Sequence, residues 1–355
     1  MLDTLIGQIQ SAQATRRPLV VLGCGSKSWH AAQATGQQLV LADYRGIVDY
    51  QPTERVVTAR AGTRLTDLQA ELARHGQMLA AEPPTLGGQA SLGGALACGW
   101  SGPRRPWAGA LRDQVLGCTI INGQGQLLRF GGQVMKNVAG FDLSRLMVGS
   151  FGTLGVIVEA SLRLAPRPET ELVLRFELDQ ADAIRMMNHT AGSPFPLSGA
   201  AWERKILRLR LSGHASAVAA AAEQLGGDPD PEGLIWFARL ADLRHPLFAD
   251  PGQGMALWRL SLPSAAPPLL PGYPQLLDWG GALRWLVAPL EQSKVIRAAV
   301  EHQGGHATCL RQGSGGARLP RQHPLPPALA ALQKRLKQAF DPAGILNPGA
   351  PLPGL

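Results

Sequence analysis

Sixteen of the chain's 42 glycines fall within the 80 residues from 81 to 160, and no other feature constrains the fold as strongly. Glycine lacks a Cβ, so it admits left-handed backbone and lets the main chain press on a ligand or on another backbone. A stretch this rich in glycine reads as short elements joined by loops built for close approach. Three such loops adjoin apolar runs: VLGCGSKS around Gly23 and Gly25, SLGGALACG around Gly93 and Gly94, and VGSFGTLGVI around Gly149, Gly152 and Gly155. Loops of this kind offer consecutive N–H groups, which can hold an anion without any side chain.

The 355 residues suffice for about two domains, and 45% hydrophobic with 17% charged residues is ordinary globular composition. The net charge is +8, but basic residues come singly or in pairs (Arg16-Arg17, Arg104-Arg105, Lys334-Arg335) without interleaved aromatics. That spread argues against nucleic acid and for an acidic protein partner, an anionic ligand or weak attraction to an anionic membrane face. Cys24, Cys98, Cys118 and Cys309 show no CxxC spacing and read as reduced thiols of a cytoplasmic protein. Asp3 stands where a signal peptide carries Lys or Arg, and no apolar run reaches the roughly 18 residues of a membrane span. Membrane contact is therefore expected to be peripheral at most, at the inner face of the cytoplasmic membrane.

Leu2, Leu5, Ile6 and Ile9 predict a helix over 2–14. Strands follow at 18–22, 39–41 and 56–59, then a helix on Leu65, Leu68 and Leu72 that stops at Gly76. Longer alternating strands at 114–121 and 126–130 flank Asn122-Gly123, a hairpin signal, and 156–164 is another strand. Pro166-Arg167-Pro168 marks a boundary. Beyond it, strands at 171–178, 206–211, 256–262 and 283–287 alternate with helices at 181–188, 215–225 and 292–302. These make an α+β module of mainly antiparallel strands. The Pro/Gly-rich stretches 263–274 and 313–327 read as loops, and a last helix runs over 328–340.

Gly23-x-Gly25, with Asp43 twenty residues after Gly23, suggests a dinucleotide-binding βαβ unit, but the details fail. Ser28 occupies the third glycine position, and too few residues separate it from Gly36 to hold the helix of a unit of about 30 residues. The turn can still bind phosphate, with Ser26 and Lys27 adding a donor and a charge; its alternative is an ordinary turn. Around Ser91–Gly94, small residues would let backbone lie against a flat or charged ligand; the alternative is a tightly packed glycine-rich helix start.

The order of VLGCGSKS, SLGGALACG, RDQVLG at Arg112-Asp113, GFDLSRLMVGSFGTLGVI and DPAGILNPG resembles the FAD-binding fold of the vanillyl-alcohol oxidase and D-lactate dehydrogenase superfamily. SGPRRPWAGALRDQVLG and FGGQVMKNVAGFDLSRLMVGSFGTLGVI are more closely similar to the FAD-binding E-subunit family of bacterial glycolate oxidase. The resemblance implies an α+β, two-subdomain, PCMH-type FAD domain over 1–168, its halves about 1–62 and 63–168. An α+β cap over 169–326 and a C-terminal helix and tail over 327–355 that returns to the FAD domain would complete it. It further implies that Gly23, Cys24, Gly25, Ser26 and Lys27 form a pyrophosphate loop, and that Ser91, Leu92, Gly93, Gly94, Ala97 and Gly99 line the pyrophosphate and flavin. Gly152, Thr153, Gly155, Val156 and Ile157 would hold the adenine side, and Asn347-Pro348-Gly349 would bring the tail back.

The departures from that pattern carry information. The superfamily's arginine and three glycines have become Leu22-Gly23-Cys24-Gly25; no histidine stands where some relatives attach flavin, so FAD is expected to be non-covalent, with Cys24 a small residue tolerated in the turn. The metal-binding histidine motif of relatives that oxidise 2-hydroxy acids is not found. His302 and His306 are separated by Gly304-Gly305, which breaks the helix that would align them. Phe151 stands where related dehydrogenases often carry glutamate. Arg104, Arg105, Arg112, Lys136 and Arg145 are cations near the expected flavin region, with Lys136-Asn137 the pair that stands out, while Trp100, Trp107, Trp279 and Trp285 read as core or subunit interface. The resemblance thus implies the flavin electron-transfer or accessory subunit of a complex that oxidises glycolate to glyoxylate. Its partners would be a larger catalytic FAD subunit and an iron–sulfur subunit, the latter because this chain has no cluster-ligand pattern. Alternatives are a self-sufficient FAD-dependent 2-hydroxy-acid dehydrogenase and a structural subunit that has lost FAD.

Overall fold

The computed structural model describes residues 1–27, 35–132, 142–315 and 319–350. By internal contacts the chain divides into two units. One comprises Met1–Ser101, Ala110–Arg167 and Pro324–Leu355, the other Gly102–Gly109 and Pro168–His323.

In the first unit the opening helix forms as Leu2–Thr15, burying Leu5, Ile9 and Ala12 along one side, and ends where Arg16 turns left-handed at φ 51°. Strands Leu19–Leu22 and Gln37–Val40 pair in parallel, and Leu19 also bridges Leu346 near the other end of the chain. The larger sheet is antiparallel, in spatial order Ile47–Gln51, Val56–Arg60, Val156–Arg163, Val115–Ile121, Leu127–Gly131. Its middle strand feeds two cores: Val156 and Val158 pack with Leu5, Ile9, Leu19 and Leu39, while Ile157 and Leu162 pack with Leu65, Leu68, Leu72 and Leu96. Burial on both faces accounts for the unbroken apolar start of that strand, Val156-Ile157-Val158.

The hairpin after Val115–Ile121 is present, but not as a two-residue Asn-Gly turn. Ile121 pairs with Leu127, and the side chain of Asn122 closes the longer loop by accepting from the N–H groups of Gln124 at 3.0 Å and Gln126 at 2.9 Å. The left-handed residue is Gly125, φ 74°. Gly123 is required for another reason: a Cβ there would lie 2.3 Å from Asp341 Oδ1.

The second unit is built on an eight-stranded sheet in the order Asp228–Pro229, Thr170–Glu177, Ile206–Gly213, Leu197–Glu203, Gln275–Asp278, Leu283–Pro289, Met255–Ser261, His306–Gln312. Every pairing in it is antiparallel. Helices Gln180–Ala191 and Ala215–Leu225 cover one core around Leu174, Leu207, Leu209 and Leu211, and Ser293–His302 covers a second around Trp258 and Leu286. The segment Gly102–Gly109, placed by sequence in the first domain, belongs by its contacts to this unit. Three interactions tie it there: Trp279 Nε1 donates to Gly102 O at 2.9 Å, Arg105 stacks on Trp279, and Arg104 pairs with Glu171 at 2.6 Å.

Candidate functional site

The site is a cavity of about 110 Å³ in the first unit, where three glycine-rich segments converge. The first leaves strand Leu19–Leu22 as Gly23–Lys27. The second is the start of helix Leu92–Cys98, whose N-cap Ser91 accepts from Gly94 N–H at 3.3 Å. Gly99, left-handed at φ 66°, ends this helix early. The third is the loop entering strand Val156–Arg163.

The glycines at the junctions are forced by contact. A Cβ on Gly23 would sit 2.1 Å from Ser91 Oγ, and one on Gly93 would sit 2.6 Å from Ala61 Cβ. The C-terminal segment completes the wall through Asn347. Its Oδ1 accepts from Val21 N–H and its Nδ2 donates to Phe151 O, both at 2.7 Å. A Cβ on Gly152 would lie 2.9 Å from that Nδ2.

Of the residues singled out by sequence, Gly23, Cys24, Gly25, Ser26, Lys27, Ser91, Gly93, Gly94, Ala97, Gly152, Gly155 and Ile157 line this one cavity. Four are not in its lining. Leu92 turns into the core, Val156 faces the other core, Gly99 is the helix C-cap, and Thr153 is buried with its hydroxyl donating to Ser150 O at 2.7 Å. A glycine-rich motif marks a loop but does not say which of its side chains point inward. Val21, Leu22 and Cys98, inside the quoted motifs but not singled out as cofactor contacts, also line the cavity, as do Leu41, Ala61 and Ala350, which lie outside those motifs. Phe151, noted as an apolar departure, lines it too, at φ 52°.

No carboxylate or imidazole stands among the described residues that line it. The side-chain charge is Lys27, whose Nζ is fully enclosed and has no hydrogen-bond partner among the described residues. Burial holds this amine below its ordinary pKa, against the opposing pull of Cys98 and Cys24. Burial likewise pushes the Cys98 thiol up to about 11 although Lys27 acts the other way. The backbone N–H groups of Cys24, Gly25, Ser26 and Lys27 donate to no described residue. Unbonded amides beside an orphaned ammonium form an anion site, since a buried cation without a partner is costly until a negative group joins it.

The remaining candidates lie elsewhere. Arg112 is mostly exposed near Asp113, and Arg145 pairs with Asp142 at 3.0 Å. Arg104 and Arg105 belong to the second unit. Ser28, Lys136 and Asn137 lie outside the described residues. His302 ends a helix and His306 starts a strand, and no group of His, Cys, Asp and Glu among the described residues could hold a metal. No helix among them is long and apolar enough to cross a membrane.

Comparison with known proteins agrees with this geometry. Residues 2–131 match the FAD binding domain family, and residues 323–350 match the C-terminal domain of FAD linked oxidases. The chain is 47% identical over 348 residues to the glycolate oxidase subunit GlcE of Escherichia coli (strain K12), covering 98% of this chain and 96% of that one. It is 31% identical over 170 residues to the glycolate oxidase subunit GlcD of Bacillus subtilis (strain 168), covering 47% of this chain and 36% of that one. Among solved structures, an alkyldihydroxyacetonephosphate synthase superposes with a TM-score of 0.69 at 15% identity, over 98% of this chain and 74% of that one; this likeness shows the PCMH-type α+β fold. The cradle fits the group that the family implies: its Cβ-free walls and orphaned Lys27 amine suit the phosphates of FAD. With near-complete coverage at this identity, the chain belongs to the GlcE family of glycolate oxidase subunits, FAD-binding oxidoreductases.

Proposed function

We propose that this chain is the accessory flavin subunit of a complex that oxidises glycolate to glyoxylate, holding non-covalent FAD as an electron carrier. The observation that carries the reading is the glycine cradle closed around the unpartnered Lys27 amine. FAD, when bound, supplies an acceptor able to take electrons in pairs and release them singly. Gly23–Lys27 would hold the pyrophosphate through backbone N–H groups and the Lys27 ammonium. Ser91, Gly93, Gly94 and Ala97 would flank the pyrophosphate and flavin, and Gly152, Gly155 and Ile157 the adenine side. Asn347 fixes the edges of two of these walls by bonding Val21 and Phe151 at once.

Removing hydride from a hydroxy acid also needs a base for the hydroxyl proton. Among the described residues the cavity lining presents only an amine, two serines and two thiols as protic side chains, apart from the Asn347 amide, and the Cys98 thiol stays protonated at neutral pH. That composition supports an electron-carrying role, with substrate oxidation on a larger flavin subunit and onward transfer through an iron–sulfur subunit. The site of action would be cytoplasmic, with peripheral contact at the inner face of the membrane.

The test is the visible spectrum of the purified chain, repeated on the supernatant after acid precipitation and after anaerobic glycolate. Flavin released by acid, unbleached by glycolate alone and bleached once the partner subunits are added, is the expected result. Bleaching by glycolate without partners would overturn the accessory role, and a chain without flavin even beside its partners would overturn the FAD assignment.

A further inference from the structure

One face of the sheet in the second unit carries a set of arginines, and all but one of the three that lie on its strands Ile206–Gly213 and Met255–Ser261 are satisfied. Arg208 pairs with Asp230 at 2.8 Å, and Arg210 donates to Ser198 O at 2.8 Å. Arg259 is the exception: among the described residues it makes no side-chain hydrogen bond and no ion pair. Its guanidinium lies 5.1 Å from the ring centroid of Trp279, and Arg105 lies 4.3 Å from the same ring. Burial, reinforced by Arg105 and opposed by Asp278, lowers Arg259 to about 10, so it remains charged at neutral pH.

A second group on this face is also orphaned. Trp285 stands directly opposite Arg259 in the ladder between Met255–Ser261 and Leu283–Pro289, so both project from the same side of the sheet. It is only 6% exposed, and its indole N–H has no partner. Two neighbouring donors thus have no acceptor among the described residues, a fully enclosed indole N–H and a half-buried guanidinium. A buried donor left without an acceptor is costly, so an acceptor that reaches the enclosed indole N–H beside the guanidinium relieves the arrangement.

We propose that Arg259, with Arg105 stacked on Trp279 and the indole N–H of Trp285, forms a binding site for a carboxylate. A guanidinium fork matches the two oxygens of a carboxylate, and the indole N–H supplies a further donor. Asp278, close enough to act on Arg259, disfavours a dianion such as phosphate. The carboxylate could come from a small free acid or from an acidic side chain of a partner subunit. Every group named lies in the second unit, so the site stands or falls independently of the flavin reading.

The experiment titrates the purified flavin-loaded chain with acetate, glycolate and inorganic phosphate at constant ionic strength, following tryptophan fluorescence. Wild type should show a saturable change with the carboxylates that weakens at least tenfold in Arg259→Gln and also weakens in Trp285→Phe, with phosphate binding more weakly. If no small acid binds, but association with the partner subunits weakens at least tenfold in Arg259→Gln, the carboxylate is the partner's. Carboxylate binding and partner association both unchanged in Arg259→Gln would overturn the proposal. Thermal melting keeps the variant interpretable: removing an unpaired guanidinium should leave the ligand-free midpoint equal or higher. A midpoint lowered by more than a few degrees would mean that the guanidinium is structural, and would overturn the proposal as well.

Discussion

In the first unit the cavity is walled by main chain: Gly23, Gly93 and Gly152 approach Ser91, Ala61 and Asn347 so closely that a methyl group does not fit. In the second unit one face of the sheet is organised by polar side chains instead. Glu171 there receives Arg104 at 2.6 Å and Ser212 at 2.5 Å, and Glu203 meets His245 at 3.2 Å. A backbone-walled site is damaged by adding atoms, whereas a face of paired charges is damaged by taking them away. The two regions should therefore respond oppositely to the same kind of substitution.

The strongest challenge to that contrast lies in the first unit itself, at Asp341. Its buried carboxylate accepts from Lys337 Nζ at 2.6 Å, from Ile345 N–H at 3.2 Å and from Leu346 N–H at 2.8 Å, while Lys337 also donates to Thr153 O at 2.8 Å. Asp341→Ala should cost about 3–5 kcal/mol, as for other broken buried pairs, read from urea denaturation. A cost near zero would mean that the C-terminal return is held by its apolar residues alone.

Next in size is Glu171→Gln, with an expected loss of about 2–3 kcal/mol, the low end for a pair that is only partly buried. Burial alone would raise the pKa of Glu171, but the hydrogen bonds from Ser212 and Arg104 together hold it below the ordinary carboxylate value. With the folded pKa below the unfolded one, the stabilisation is complete above the ordinary carboxylate range and fades as pH falls through the folded value. Urea midpoints taken from about pH 6 down to pH 3 should fall more steeply in wild type than in the variant.

Gly23→Ala adds one methyl group against Ser91 and should cost about 1–3 kcal/mol in stability. Its larger effect would be on FAD, with affinity at least tenfold weaker by flavin fluorescence titration. Unchanged affinity would move the phosphate contacts away from this turn. The smallest effect on stability is expected for Lys27→Met. Removing an unpartnered buried amine should leave the flavin-free chain as stable or slightly more so, while FAD binds at least tenfold more weakly. Loss of stability without loss of affinity would assign Lys27 to the core.

Much of this was legible before any coordinates. Helix Ala215–Leu225 falls where its alanines and apolar spacing place it, and the strands around residues 20, 118 and 160 follow their apolar runs. Strand Leu197–Glu203 was missed because LSGAAWE is made largely of small residues with little strand preference. Gly199 is there because a Cβ would lie 2.9 Å from the ring of Phe237, a contact made across a long stretch of chain. Helix Gly233–Ala241 was missed for a related reason, being apolar on most sides, with Leu234 and Ile235 left exposed.

By itself the sequence determined the class of fold, the glycine-rich segments and the family, because local backbone freedom and apolar periodicity are written in consecutive residues. Only the tertiary structure decided which members of each motif face the cavity. Leu92 and Val156 sit within their motifs yet point into the cores, while Leu41 and Ala61 enter the lining from segments outside the motifs. It also decided that Gly102–Gly109 belongs with the second unit, and that neither Lys27 nor Arg259 makes a side-chain hydrogen bond to a described residue. Burial and partnering are properties of packed neighbours, and those neighbours are set by contacts between residues far apart along the chain.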